Sequence, residues 1–516
     1  MKLRINELDN PAWAEAGISV PHYDIPAMCK KTKEAPTWVH FGAGNIFRGY
    51  IANLQNRLLE SGIEEKGIIA VDSSDGDQIV KVYNPFDNLT LLVSLYADGT
   101  SKKEVVASVA EAVHADWAKK ESLERLKEIF ACPSLQMCSF TITEKGYALR
   151  DAEAELPDAP ATVMGKVTAL LYERYKAGSL PIAMVSMDNC SKNGEKLKGS
   201  VLAIAKSWID RGLVENGFAE YLSDEEVVSF PWSMIDKITP RPNAGIADEL
   251  TGLGVEEMGI IPREKGAPVA PFVNCESSEY LVIEDRFPNG RPALEKAGVY
   301  MTDRDTVNKT ERMKVTTCLN PLHTALAVLG CTLGYDRIYK EMRDDDLVKL
   351  IKKIGYVEGM PVVTNPGILD PKDFLDEVVN ERLPNPYIPD MPQRIACDTS
   401  HKVPVRYGET IKSYLASDSL SIDSLEAIPF AIAAWLRYLK AENDELESFE
   451  LSEDPRAAEL QSKLSDIDSI LEDDTIFGAD LTKTPLANKI KEYYEKMCSG
   501  KGAIRDTLHN LVESWN

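Results

Sequence analysis

Basic residues are in short supply. Lys and Arg number 58 against 82 Asp and Glu, which leaves a formal net charge of −24 on 516 residues. So acidic a chain repels phosphate backbones and anionic lipid, which argues against nucleic acid or a membrane surface as a partner. An anionic substrate would need a local cationic pocket. Long apolar runs are also missing: none approaches the roughly 20 residues that a membrane-spanning helix requires. The opening residues, Met1-Lys2-Leu3-Arg4-Ile5-Asn6-Glu7, hold no apolar signal core, so export is not expected and the expected location is cytoplasmic. Nine cysteines at irregular spacing include no C-x-x-C pair, the usage of reduced cytosolic thiols. Only six histidines occur, no two at a ligand spacing, so no metal site is expected. Internal repeats and low-complexity tracts are absent.

What is present is a globular composition, 44% hydrophobic and 27% charged, on a chain long enough for two domains. Thr37-Trp38-Val39-His40-Phe41 predicts a strand, and it runs directly into Gly42-Ala43-Gly44-Asn45-Ile46-Phe47-Arg48-Gly49. Phe47, Ile51, Leu54 and Leu58 then recur at helical spacing. Glycines let such a turn close on a pyrophosphate, whose charge is met by the helix N-terminus. Residues 67–72 predict the second strand. Asp72 ends it 28 positions after Gly44, where an acid holds the adenosine ribose and repels a 2′-phosphate. The third glycine falls two places later than in the standard G-x-G-x-x-G fingerprint. Strand, turn, helix and acid together predict a dinucleotide site that prefers NAD to NADP.

Further strands are predicted at 89–95, 136–143 and 182–187, with an amphipathic helix at 161–175. This alternation implies a parallel sheet with helical cover. The last two strands run into polar loops, Glu144-Lys145-Gly146-Tyr147 and Asp188-Asn189-Cys190-Ser191. Ligands of open α/β sheets bind at strand carboxyl ends, so Asn189 is either a site residue or an ordinary turn residue. Residues 1–34 read as an irregular lead-in, and 230–242 and 284–292 as extended, proline-bracketed loops. From about 300 onward helical periodicity dominates, at 306–334, 343–355, 424–441, 456–471, 484–498 and 503–515. The expected domains are 1–300 and 301–516, with substrate bound between them.

The second half opens on Glu311-Arg312-Met313-Lys314-Val315-Thr316-Thr317-Cys318-Leu319-Asn320-Pro321-Leu322-His323. Asn320 and His323 are three apart and share a helix face. An amine, an amide donor and an imidazole are what carbinol-to-carbonyl chemistry needs around one oxygen. The plain alternative is a helix with a solvated lysine, an Asn-Pro turn and a capping histidine.

These stretches together resemble the long-chain mannitol dehydrogenase family, which includes mannitol 2-dehydrogenases, fructuronate and tagaturonate reductases and mannitol-phosphate dehydrogenases. The likeness runs from about 37 to 440. It rests on residues 40–49, Thr141-Ile142-Thr143-Glu144-Lys145-Gly146-Tyr147, Asp188-Asn189, residues 233–240 and 283–292, and the Lys314…Asn320-x-x-His323 signature. The resemblance implies an α/β fold, with an N-terminal Rossmann-type dinucleotide-binding domain and a second, mostly α-helical domain. It implies Lys314 as general base, Asn320 and Asn189 as donors to the reacting oxygen, and His323 as a ligand of a substrate hydroxyl. Glu311 is implied to relay the lysine's proton to solvent. Arg394, Lys402 and Asp236 are implied to hold the rest of the substrate, and Gly42, Gly44, Asn45, Phe47 and Asp72 to contact NAD(H). Two departures stand out. One extra residue separates the lysine from the asparagine, and Asn320-Pro321-Leu322-His323-Thr324 replaces the usual Asn-Gly-x-His-Ser.

The expected protein is therefore a metal-independent, NAD-dependent secondary-alcohol dehydrogenase acting on a sugar alcohol or sugar acid, as a monomer or small homo-oligomer. Arg394, His401 and Lys402 lie close together in an acidic chain and would suit a substrate carboxylate. That favours fructuronate reduction to mannonate over mannitol oxidation or tagaturonate reduction. A non-catalytic NAD-linked sensor would keep the glycine turn but need no base.

Overall fold

Six strands build the main sheet of the computed structural model, which describes residues 1–149 and 151–515. They are Trp38–Phe41 (β1), Ile68–Asp72 (β2), Val109–His114 (β3), Met137–Phe140 (β4), Ile182–Ser186 (β5) and Val228–Ser229 (β6). All but β3 are buried at every residue. Strands apolar on both faces need cover on both faces, which is the habit of parallel sheets. The order is β3-β2-β1-β4-β5-β6 with every pairing parallel, the doubly wound arrangement of dinucleotide-binding domains. Phe41 pairs with Val71 and Phe140, and Phe140 with Ser186. The register therefore brings Gly42, Asp72, Thr141 and Met187 out along one carboxyl edge.

The helices that cover this sheet are amphipathic. In Asn193–Asp210 the residues Leu197, Val201, Ile204 and Trp208 form one buried stripe. They join Phe41, Phe130, Phe140 and Leu170 in the core on one face, while Trp38, Phe47, Leu54, Leu58 and Val273 build the core on the other. Each such side chain contributes roughly 1.5–3 kcal/mol of burial.

Two local expectations fail. The lead-in is ordered: Asp24 caps the helix Ile25–Glu34 by accepting from the Ala27 N–H, with proline in its first turn. Ile25, Met28 and Thr32 are its buried face. The strand predicted at 89–95 also lies outside the main sheet. Thr90–Leu95 runs antiparallel to Ser101–Val106 and parallel to Phe272–Glu276 in a four-stranded sheet completed by Ile18–Ser19. A third sheet joins Ser233–Asp236, Tyr280–Glu284 and Tyr300–Thr302.

The chain divides into two compact units, Met1–Leu95 with Thr100–Asn308, and Tyr96–Gly99 with Lys309–Asn516. The second unit is helical. At its centre the helix Asn320–Leu333, buried at eleven positions, packs on Ala427–Tyr438, buried at every residue. The buried Glu358 carboxylate caps that second helix, accepting from the N–H groups of Glu426, Ala427 and Ile428 at 2.7, 2.7 and 2.8 Å. No described helix is long and apolar enough to cross a membrane.

Candidate active site

In the first unit, the turn after β1 is built around glycine for two different reasons. Gly42 has φ +114°, and a Cβ there would sit 2.1 Å from the Thr141 carbonyl oxygen, so no other residue fits. At Gly44 a Cβ would meet nothing nearer than Gln78 Nε2 at 3.9 Å. Its backbone is bare, and a ligand can reach it. The late third glycine, Gly49, has a packing role: a Cβ would lie 2.7 Å from Val273 Cγ1.

Buried polar contacts hold the turn. His40 Nδ1 and Nε2 lie 2.6 and 2.8 Å from the hydroxyls of Ser139 and Thr141, and its ring stacks on Phe47 at 4.3 Å. Burial pushes this imidazole down to about 3, so it is neutral and structural. Tyr83 donates to the Ala43 carbonyl at 2.9 Å, and Asn45 Nδ2 to the Pro240 carbonyl at 3.2 Å. Phe47–Ile51 is a π turn that runs into the helix Ala52–Glu60.

Asp72 is 4% exposed at the end of β2. Its Oδ1 accepts from the Ser74 N–H and hydroxyl at 2.8 and 2.6 Å, whereas Oδ2 is sealed from solvent without a partner among the described residues. A buried carboxylate oxygen left in that state needs a donor from elsewhere. An orphaned acceptor beside a bare glycine turn and a helix start fits a dinucleotide whose ribose brings hydroxyls. Gln78 Oε1 is likewise sealed and without a partner among the described residues, and no local motif marks it.

Asn189 is exposed just beyond β5, behind a carboxylate clamp. Asp188 accepts from the Ile142 and Thr143 N–H groups at 3.0 and 2.8 Å and from the Tyr147 hydroxyl at 2.6 Å. Burial raises the Asp188 carboxyl despite these donors. The clamp holds Thr143 at φ +66°, a strained conformation of the kind found at functional sites. Asn193 ties the same loop to the third sheet, donating to Asp188 O and Ser233 O at 3.0 Å each and accepting from the Ser233 N–H at 3.0 Å. Asp236, 6% exposed, ends the strand that begins at Ser233.

In the second unit, Lys314 is 3% exposed and opens a π turn, Lys314–Cys318, closed by the Leu319 N–H on the Lys314 carbonyl at 3.1 Å. A π turn is how a helix accommodates one residue more than its regular spacing allows, and this one lies between Lys314 and Asn320. Glu311 lies half-buried on the preceding helix, Arg304–Met313, three positions before the lysine. Asn320 begins the next helix, with His323 one turn along. His323 Nε2 lies 3.2 Å from Asp390 Oδ2. Burial would raise the Asp390 carboxyl, but His323 and Arg394 beside it hold it below the usual carboxylate range.

The cations expected to suit a carboxylate stand differently. Arg394 is ion-paired with Asp390, its i−4 neighbour. His401 is exposed. Lys402 Nζ donates to the carbonyls of Ile395 (3.0 Å) and Cys397, and burial together with Arg406 lowers it from its ordinary value. Arg406 lies in no sequence motif, yet its Nη1 donates to the Asn320 carbonyl at 3.5 Å and to the Thr324 hydroxyl. Among the described residues no three His, Cys, Asp or Glu side chains gather to hold a metal.

Comparison with known proteins agrees with this arrangement. Residues 36–296 match the mannitol dehydrogenase Rossmann domain and residues 306–498 the mannitol dehydrogenase C-terminal domain. The D-mannonate oxidoreductase of Thermotoga maritima is 49% identical across 98% of this chain and 97% of its own length. The structure of Pseudomonas fluorescens mannitol 2-dehydrogenase, a ternary complex with NAD and D-mannitol, superposes with a TM-score of 0.71 at 27% identity, covering 99% of this chain and 100% of that one. A substrate-free D-sorbitol dehydrogenase gives 0.81 at 26% identity, covering 98% and 100%. A Rossmann sheet, a helical second unit and family matches over most of the sequence lead to one conclusion: the chain belongs to the mannitol dehydrogenase family.

Proposed function

We propose that this chain is an NAD-dependent D-fructuronate reductase (a D-mannonate oxidoreductase), cytoplasmic, acting as a monomer or small homo-oligomer. The observation that carries the reading is the 49% identity to a D-mannonate oxidoreductase across 98% of the chain. Residues 1–300 bind the nucleotide and residues 301–516 supply most of the chemistry. Gly42, Gly44, Asn45 and Phe47 form the pyrophosphate turn, and Asp72 Oδ2 accepts from the adenosine ribose. When bound, the reduced nicotinamide supplies the hydride that reaches the substrate's keto carbon. Lys314, as an ammonium, gives its proton to the oxygen as negative charge develops there, and in oxidation takes it back as an amine. The amides of Asn320 and Asn189 donate to that same oxygen. His323, held against Asp390, binds a substrate hydroxyl, and Glu311 returns the proton to Lys314 from solvent. Arg394, Lys402 and Asp236 hold the rest of the chain of the sugar acid.

A mannitol 2-dehydrogenase is the second reading, favoured by the likeness to the Pseudomonas fluorescens mannitol 2-dehydrogenase in complex with NAD and D-mannitol. Tagaturonate reduction is a third. NADH oxidation with D-fructuronate, D-tagaturonate and D-fructose compared side by side separates them, and activity should survive exhaustive EDTA treatment. A kcat/KM highest for fructuronate supports the proposal; one highest for fructose replaces it with the second reading.

A further inference from the structure

The first turn of the helix Asn320–Leu333 presents Asn320 and His323, and a second element is fastened to it. Pro404–Gly408 is a π turn whose Tyr407 hydroxyl donates to the Pro321 carbonyl at 3.0 Å. From the same turn, Arg406 reaches the Asn320 carbonyl and the Thr324 hydroxyl through Nη1 alone. Its Nε and Nη2 have no acceptor among the described residues, and neither is sealed from solvent. These are the two parallel donors with which a guanidinium grips a carboxylate.

Charge accounting around this turn is uneven. Arg394 and His323 share the Asp390 carboxylate. Lys402 and Arg406, one helical turn apart, are not within 4 Å of any carboxylate among the described residues. Acids exceed bases by 82 to 58 in this chain, so two neighbouring cations left unneutralised stand out. Burial lowers Arg406 to about 10, the mark of a cation held partly out of water without an anion. As a structural tether Arg406 would need only its Nη1. The cost of keeping the rest of the guanidinium partly desolvated is recovered when an anion arrives.

We propose that Arg406, assisted by Lys402, grips the carboxylate of the substrate and sets the preference for sugar acids over uncharged sugars. Arg394 also pairs with Asp390, whose Oδ2 lies 3.2 Å from His323 Nε2. The inference rests on the reading of this site as that of a sugar-acid reductase.

The test compares the intact enzyme with Arg406→Gln and Arg406→Lys, using NADH with D-fructuronate and with D-fructose. Losing one charge-assisted pair should lower the fructuronate-to-fructose ratio of kcat/KM by roughly 10- to 150-fold, mainly through KM for fructuronate. Arg406→Lys keeps the charge but not the fork, so it should fall between wild type and Gln. If Arg406→Gln fails to fold, the Lys variant decides alone through the same ratio. Equal losses on both substrates, or an unchanged ratio, would make Arg406 a tether and overturn the inference while leaving the reductase reading intact. A wild-type enzyme that reduces no sugar acid overturns both.

Discussion

Asp390 serves two partners at once: its Oδ2 lies 3.2 Å from His323 Nε2, and its Oδ1 pairs with Arg394. One buried carboxylate thereby lies between an imidazole and a guanidinium.

That arrangement has a pH signature. Asp390 is held below its unfolded value of about 3.9. Its contribution to stability is complete above about pH 4 and is lost as pH falls through the depressed folded value. Asp390→Asn should cost roughly 1–3 kcal/mol at neutral pH. Thermal melts should show the gap to wild type closing towards pH 3. A gap that stays constant over that range would mean the carboxylate's charge contributes nothing.

Cofactor choice is the second prediction. Asp72 Oδ2 is the acceptor left unpartnered, so Asp72→Ser should bring the NAD-to-NADP ratio of kcat/KM down by at least about tenfold, chiefly through the KM for NADP(H). Equal use of the two cofactors by wild type would remove Asp72 from the ribose site.

The two glycines of the turn should part company. Gly42→Ala forces a Cβ to 2.1 Å from the Thr141 carbonyl at φ +114°, and should destabilise the fold by at least about 2–3 kcal/mol. Gly44→Ala meets no such obstacle in the protein, so Tm should hold while NADH binding weakens. A Gly44→Ala enzyme that binds NADH normally would mean the cofactor does not approach that backbone.

Legibility followed the range of the interactions. The segment Trp38 to Glu60 and the strand ending at Asp72 were readable, because apolar runs, close glycines and helical spacing are all local signals. The helix Ile25–Glu34 was hidden by prolines that read as irregularity, although Asp24-Ile25-Pro26 is a cap followed by a first-turn proline. Thr90–Leu95 was readable as a strand but not its sheet, since its partner Phe272–Glu276 is far along the chain. The site divides in the same way. Lys314, Asn320 and His323 stand together in sequence, and the π turn that accommodates their spacing is a conformation rather than a motif. Arg406 reaches Asn320 across 86 residues, and Asn193 reaches Ser233 across 40. Neither contact leaves a local mark.

Lys314, buried at the head of the Lys314–Cys318 π turn, is proposed to carry the proton in both directions. Lys314→Ala should lower kcat for mannonate oxidation by at least about 10²-fold while NADH affinity stays near that of wild type. Added methylamine should restore part of the rate in a concentration-dependent way, because the truncated side chain leaves room for a small base. A Lys314→Ala enzyme with near-normal kcat would contradict the account.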